Sequence, residues 1–501
     1  MIARLDRMLG RLTMYLTVIV CLGVIGFVAL GMSIAGLLAV DPLALLASAA
    51  VLLVTSWIAG EVLARIFRSR AHTSSSVITA LLLAFVLQPT LTLDGLLGLA
   101  AAAAAAAASK YLIAWRGRHV ANPAAIGALV VGTTGLAFPS WWVGTGPLLP
   151  VVAIAAALVL WRTRRLEMGL TFIVLAAAIT IGRLVVGGAP ADTAVSIAFA
   201  SSPYVFAAGF MLSEPLTLPP RRWQRIVVAV VAALVMTVPF VLGPISNSPE
   251  LGLVVAGVVA FAFGQRRGMP LELVARRSLT PTAWEFRFRT SSTARFAPGQ
   301  YLELTVPHRR PDAGGIRRVF SITSTPGSDE LTIGVRIRNE PSSFKRALLE
   351  LPIGARIRAT GVWGDFLLPR DPREKLGFVA AGIGVTPFVA QLTALAEAGR
   401  AGNAELLYSV RSGSDLAYRE ELAATGVRVV VLAPDDPGEL PANWSWAGPA
   451  PLDAETVLHA MPDAAERTVL ISGAPTDVSR LRRSLRRAGA RRIRTDVFLG
   501  Y

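Results

Sequence analysis

A single cysteine, Cys21, stands in 501 residues. A lone thiol excludes a disulfide framework, a Cys-ligated iron–sulfur cluster and a Cys-rich zinc site built by this chain alone. Histidine is nearly as scarce, four in all, with only His72 and His119 in the first half. Two stacked membrane haems would need four axial ligands, which those histidines cannot supply. Redox chemistry here must therefore run on an organic cofactor, with no metal site assigned. Charge is sparse as well: 16% of residues are charged against 53% hydrophobic, which excludes a purely water-soluble enzyme.

The scarcity of charge is uneven. Residues 1–265 hold 16 Lys/Arg and 8 Asp/Glu, whereas residues 266–501 hold 33 and 25. Two physically different halves meet near Gln265. The net charge of +16 is split evenly between them, and its placement along the chain argues for membrane topology and against a nucleic-acid partner.

Apolar runs in the first half suggest about ten membrane spans, at 14–39, 42–62, 75–88, 92–114, 122–138, 144–161, 166–186, 195–212, 226–243 and 250–264. Fifteen of that half's sixteen cations fall in alternate connections: Arg4, Arg7 and Arg11; Arg65, Arg68 and Arg70; Lys110, Arg116 and Arg118; Arg162, Arg164 and Arg165; Arg221, Arg222 and Arg225. That asymmetry predicts a multi-pass protein of the cell membrane with its N-terminus and charged half in the cytoplasm. The first run lacks a small-residue cleavage site and reads as a retained span. The alanine run 100–108 reads as a closely packed helix face. Arg183, the sixteenth cation, lies near the outer end of its span and either snorkels outward or marks a site.

Three segments interrupt the apolar pattern: Ser74–Ala80 ahead of a run closed by Gln88-Pro89, Gly117–Ala125 containing Asn122-Pro123, and Phe210–Thr217 containing Ser213-Glu214-Pro215. Such breaks either cap helices or line a polar cavity. Together they resemble the membrane subunits shared by the sodium-pumping NADH:quinone reductase (B subunit) and the Rnf complexes (D subunit), over residues 60–265. The resemblance implies two inverted repeats, with flavin sites near these segments. That family carries covalent FMN on a threonine in a D-x-x-S-G-A-T-type sequence. Asp192–Ala198 offers alanine there, so only a non-covalent FMN or riboflavin is expected in the membrane half.

In the second half, alternating strands at 285–289, 301–306 and 331–337 read as a small antiparallel barrel. After Asp371-Pro372 a strand–glycine turn–helix pattern reads as a parallel nucleotide-binding sheet. The expected architecture is multidomain: a polytopic α-helical membrane domain over 1–265, an antiparallel β-barrel over 268–370 and an α/β nucleotide-binding domain over 371–501. Arg318-Val319-Phe320-Ser321 offers a guanidinium fork for pyrophosphate, a ring to cover a flavin and a hydroxyl for its edge. Ser342-Ser343-Phe344-Lys345 opens a helix whose N–H groups suit a second phosphate. Gly361–Phe366 closes the barrel. Gly382-Ile383-Gly384-Val385-Thr386-Pro387 follows an apolar strand and lets a dinucleotide approach the backbone.

This order of elements is similar to the ferredoxin-NADP reductase superfamily over residues 270–501. The resemblance implies that Arg318, Val319, Phe320 and Ser321 bind FAD, that Ser342, Ser343, Phe344 and Lys345 flank its phosphates, and that Gly382, Gly384, Thr386, Pro387 and Gly473 receive NAD(P)H. Ser321, Ser472 and Asp496 are then the catalytic candidates, the last two standing where the family often has Cys and Glu, and Tyr501 closes the flavin site. Arg411, with Ser409 and Arg419, is either a solvated strand end or a clamp on a 2′-phosphate, and the reading leans to NADPH over NADH.

The expected function is a membrane-bound oxidoreductase carrying electrons from NAD(P)H through FAD to a flavin or quinone site in the membrane half. The acceptor is left open among a quinone, a membrane flavin and an outer-face flavoprotein. The alternative is a reductase serving a soluble electron-transfer protein, with the membrane half as anchor in the lipid bilayer.

Overall fold

A computed structural model describes residues 14–67, 73–115, 118–214, 217–219, 221–243, 245–263, 268–290, 295–309, 311–312, 316–337 and 339–498. The expectations placed on Arg4, Arg7, Arg11, Arg68, Arg70, His72, Arg116, Gly117, Pro215, Leu216, Gln265 and Tyr501 lie outside the described residues. The chain divides into two compact units near residue 266.

The helical unit runs α1 (Met14–Ile34), α2 (Pro42–Ile66), α3 (Thr73–Val86), α4 (Leu93–Leu112), α5 (Pro123–Thr134), α6 (Leu149–Arg162), α7 (Leu166–Val186), α8 (Ala191–Ala200), α9 (Tyr204–Phe206, continuing as a π turn over Ala207–Leu212), α10 (Arg222–Thr237) and α11 (Pro249–Phe263). Among the described residues, five stretches are long and apolar enough to cross a membrane: α1, α2, α4, α7 and the composite Ala191–Leu212. This corrects the expectation of ten spans. The 14 residues of α3 reach only about 21 Å, against a hydrocarbon core of about 30 Å. The apolar helices α5, α11 and Gly146–Arg162 are short as well. The run expected at 226–243 ends at Thr237, because Pro239 drives Val238 into an extended conformation (φ −82°, ψ 121°).

Where helices break, other groups take the freed backbone. The loop after α5 returns to the end of α3: Gln88 N–H donates to Phe138 O at 2.9 Å, and Trp141 N–H to Val86 O at 2.8 Å. The Trp142 indole donates to Ala84 O at 2.8 Å. In α4 the alanine run is a packed face: Ala102, Ala103, Ala106 and Ala107 are buried. A Cβ on Gly127 of α5 would stand 2.5 Å from Ala102 O. Arg183 donates to the Thr237 carbonyl at the end of α10, satisfying a helix terminus that has no further turn to bond it.

The second unit contains two sheets. Strands β1 (Met269–Thr280), β2 (Ala283–Thr290), β3 (Tyr301–Thr305), β4 (Arg317–Ser321), β5 (Glu330–Arg336) and β6 (Arg356–Trp363), with α12 (Ser343–Leu349) between the last two, form an antiparallel sheet of order β4-β3-β6-β1-β2-β5. Its two edges meet at a single bridge, Ile322–Ile333, so the closure expected of a barrel rests on that contact. Alternate residues of these strands, among them Leu271, Phe286, Phe288, Leu302, Leu304 and Ile333, fill one core.

The other sheet is parallel throughout. Strands β7 (Leu376–Ala381), β8 (Ala404–Ser409), β9 (Arg428–Leu432), β10 (Trp444–Trp446), β11 (Thr468–Gly473) and β12 (Ile493–Val497) lie in the order β10-β9-β8-β7-β11-β12. Helices α13 (Thr386–Glu397), α14 (Arg419–Ala424), α15 (Ala454–Ala460) and α16 (Pro475–Arg487) connect them. Separate apolar clusters include Phe378 and Leu406, and Val379 and Leu407, alternate residues that cover the two faces of the sheet. This is why β7 and β11 read as unbroken apolar runs.

Candidate flavin and nucleotide sites

In parallel sheets ligands sit at the carboxyl ends of the strands where the order reverses. Here that point lies between β7 and β11. Beyond β7, Gly382–Val385 make a single 3₁₀ turn into α13, with Pro387 in the first turn of that helix. Gly382 sits at φ +55°, and a Cβ on Gly384 would stand 2.5 Å from Ser472 O and 2.8 Å from Gly473 Cα. A cavity of about 260 Å³ opens here, lined by Gly382, Ser409, Arg411 and Asp415, and by Thr282 and Arg336 of the antiparallel sheet.

The structure thus brings together Gly382, Ser409 and Arg411 around the cavity, with Gly384 in the turn, Thr386 and Pro387 opening α13 and Gly473 ending β11 beside it. Arg419 turns elsewhere, donating to Pro437 O at 3.5 Å. Ser472 sits in register between Ala380 of β7 and Asp496 of β12. Its hydroxyl is buried and has no hydrogen-bond partner among the described residues. Burial pushes the neighbouring Asp496 carboxyl up to about 6. Of these two groups in register, the carboxyl is the one able to hold a proton.

The second constellation is built on β4 and α12. Arg318 is buried, with its guanidinium 5.2 Å from the Phe344 ring centroid; Phe320 lies 5.9 Å from the same ring. Val319 faces the opposite way and is exposed, as strand alternation requires. Ser321 is buried opposite Tyr301. Ser342 caps α12, its hydroxyl accepting from Lys345 N at 3.4 Å. Two residues outside the expected set, Asp312 and His308, bind this group: the Asp312 carboxylate accepts from Ser343 N at 2.8 Å and lies 3.5 Å from Arg318 Nη2. Ser343 Oγ in turn accepts from Asp312 N at 2.9 Å and pairs with His308 Nε2 at 3.0 Å. Lys345 Nζ is held by the Arg336 carbonyl at 2.7 Å. A carboxylate bound jointly by a buried guanidinium and a backbone N–H stands in for a phosphate oxygen, so the donor set fits the pyrophosphate end of FAD.

In the helical unit the three interrupted segments converge. Asn122 accepts from Ala124 N and Ala125 N at 3.0 and 3.2 Å, and donates to Met211 O at 3.3 Å and Glu214 Oε2 at 2.9 Å. His119 Nδ1 lies 3.5 Å from Glu214 Oε1, and Lys110 donates to Ser75 O at 3.0 Å. Ser75, Thr79, Asn122, Ser213 and Glu214 line a cavity of about 60 Å³. Small-molecule sites run to about 300–1,000 Å³, so these residues as placed do not fit a flavin. Near the other end of the unit, Trp141, at φ +49°, donates its indole N–H to the buried Glu250 at 3.0 Å.

Sequence reasoning passed over Asp312, His308, Arg336, Asp415 and Tyr418. The first two stand among turn residues with no periodic signal. Arg336 and Asp415 become neighbours only when the two sheets meet. The Tyr418 backbone, left-handed at φ +58°, has no sequence marker because glycine or asparagine usually holds such positions.

Part of the sheet unit is similar in sequence to oxidoreductases of the ferredoxin-NADP reductase kind. Residues 378–429 match the oxidoreductase NAD-binding domain family. The chain is 33% identical over 164 residues to the stachydrine N-demethylase reductase subunit of Rhizobium meliloti, covering 32% of this chain and 46% of that protein. It is 36% identical over 156 residues to ferredoxin–NADP reductase B of Sorangium cellulosum, covering 30% and 62%. The chain thus spans about half the length of the curated relatives it matches. A solved ferredoxin NADP+ reductase from Neisseria gonorrhoeae with bound FAD and NADP aligns at 20% identity and TM-score 0.39, over 46% of this chain and 98% of that one.

Proposed function

We propose that this protein is a membrane-anchored, FAD-dependent NAD(P)H oxidoreductase that delivers electrons to a separate electron-transfer protein. The observation that carries the reading is the pairing, in one unit, of the Arg318–Asp312–Ser343 oxyanion cradle with the glycine-turn cavity at the end of β7. When bound, FAD takes a hydride as two electrons and can release them singly, which suits it to stand between a nicotinamide and a one-electron chain. Arg318 and the first N–H groups of α12 hold its phosphates, and Phe320 and Ser321 border its ring. The turn Gly382–Pro387 receives the dinucleotide, and Asp496, in register with Ser472, holds a proton at the nicotinamide edge. Arg411 and Ser409 favour a 2′-phosphate, hence NADPH. The relatives named as reductase components support a protein acceptor. The five long apolar stretches of the helical unit support a cell-membrane location, and the nucleotide donor favours the cytoplasm for the sheet unit.

A second reading, electron transfer into the helical unit, is favoured by the convergence of Ser75, Asn122 and Glu214, which belong to the three segments resembling the flavin-bearing membrane subunits. It requires the 60 Å³ cavity to enlarge. Purified full-length chain distinguishes the two. One FAD per chain, released by acid and bleached by NADPH, with reoxidation only on adding an acceptor protein, supports the anchored reductase. A second flavin, or reoxidation by a lipid-soluble quinone, supports the relay. Absence of bleaching by either nucleotide would sink both.

A further inference from the structure

We propose that the segment Ser412–Glu421 is a positioning clamp that sets the nucleotide groove against the flavin strand, with Tyr418 as its pivot; this rests on the oxidoreductase reading above. The segment leaves the end of β8, lines the groove through Asp415 and Ala417, and then crosses onto the antiparallel sheet. Each step is tied down. The Asp415 carboxylate accepts from Thr282 Oγ1 at 2.8 Å and faces Arg336 Nη2 at 4.0 Å. The buried Tyr408 hydroxyl accepts from Ala417 N at 3.1 Å and donates to Ala417 O at 3.4 Å. Past the pivot, Arg277 bridges Glu421 and Glu285.

Tyr418 itself is 2% exposed and left-handed at φ 58°, ψ 33°. A bulky residue keeps such a backbone only where its surroundings over-determine it, which they do at sites whose geometry matters. Its hydroxyl donates to Thr323 Oγ1 at 3.5 Å, and Thr323 is paired with Thr332 Oγ1 at 2.7 Å. Thr323 lies two residues beyond Ser321. The ring is seated against Gly334, where a Cβ would stand 2.6 Å from the Tyr418 hydroxyl and 2.7 Å from Thr386 Cγ2. One side chain therefore reaches Thr323, just past the flavin strand, and packs against Gly334 of β5 at the opposite edge of the same sheet. Hydride transfer moves two electrons and one proton from the reduced nicotinamide to bound FAD, and a misplacement of about 1 Å costs on the order of a hundredfold in rate. Tyr418 does not touch the reacting atoms; it fixes the two surfaces that do.

The test uses the full chain with FAD bound and the variants Y418F, which removes only the hydroxyl, and G334A, which pushes on the ring. Flavin bleaching by NADPH and by its 4-deuterated form gives the hydride step. Calorimetry with NADP+ gives nucleotide affinity, and amide hydrogen exchange over 412–421 reports the clamp without turnover. Both variants should slow bleaching about tenfold, raise the isotope effect and quicken exchange at 412–421 with FAD content unchanged, and Y418F should keep nucleotide affinity within twofold. Wild-type bleaching and exchange in both variants, or slowing that merely follows loss of FAD, would overturn the clamp. Failure of the wild type to bleach would instead overturn the oxidoreductase reading, and the clamp with it.

Discussion

Substituting Gly384 by alanine tests the nucleotide groove most directly. The added Cβ would lie 2.5 Å from Ser472 O and 2.8 Å from Gly473 Cα, whereas ordinary contact begins near 3.4 Å. Both obstacles are backbone of β11, a central strand bonded on each side, so neither can swing away as a side-chain tip would. The turn must move by roughly 0.5–1 Å, and overpacking of that kind costs about 1–3 kcal/mol. If half of that falls on the bound state, nucleotide affinity drops by about two- to twelvefold, since 1.4 kcal/mol is a factor of ten. Gly382 supplies the internal control. Its backbone is left-handed at φ +55°, but the nearest atom to an added Cβ is Arg336 Nη1 at 3.9 Å. Gly382→Ala therefore carries a conformational cost of about 1 kcal/mol without a collision. Calorimetric titration of the full chain with NADP+, beside thermal unfolding of the same samples, separates the two. Gly384→Ala should bind more weakly than Gly382→Ala. Wild-type affinity in Gly384→Ala would refute the placement of the dinucleotide on this turn.

Three further outcomes follow from the same geometry. The raised Asp496 carboxyl means that the folded chain holds a proton the unfolded chain has lost between pH 3.8 and about 6, so stability falls as pH rises through that window. Asp496→Asn should flatten the dependence and, above pH 7, stabilise by up to roughly 3 kcal/mol, as urea midpoints from pH 4.5 to 7.5 would show. Arg467, buried, donates to Glu405 Oε1 and Leu376 O at 3.0 Å and also holds Asp463. Arg467→Ala strands these partners and should cost about 3–5 kcal/mol in denaturant unfolding; a loss below 1 kcal/mol would contradict its role. Asn122→Ala removes a helix cap and the partner of Glu214, with an expected loss of roughly 2–4 kcal/mol read by thermal melting in detergent.

The sheet unit was the more legible half. Gly382 and Gly384 lie in a turn between an apolar run and a helix, a pattern local enough to be read directly, and Arg318-Val319-Phe320-Ser321 lies on β4. Contacts distant in sequence were not legible. Asp312 reaches Ser343 across 31 residues, and Tyr418 reaches Thr323 across 95. In the helical unit, hydropathy marks where helices occur but not how far they extend. The shortness of α3 and the end of α10 depend on Trp141, Trp142 and Pro239, polar or rigid groups inside otherwise apolar stretches. Arg183, which composition left between snorkelling and a site, turns out to close a helix end.

The order of the parallel sheet bears on how the chain is made. Its first strand, β7, is central, yet one of its two partners, β11, begins about ninety residues later. At a synthesis rate of about 5–20 residues per second, one edge of β7 waits on the order of 5–20 s on the ribosome. That edge belongs to a strand of continuous apolar side chains, the kind most prone to pair with a neighbouring chain. Until β11 arrives, the glycine turn also lacks the backbone it packs against. Truncation ahead of β11 should therefore abolish nucleotide binding, although it would leave the matched stretch 378–429 intact.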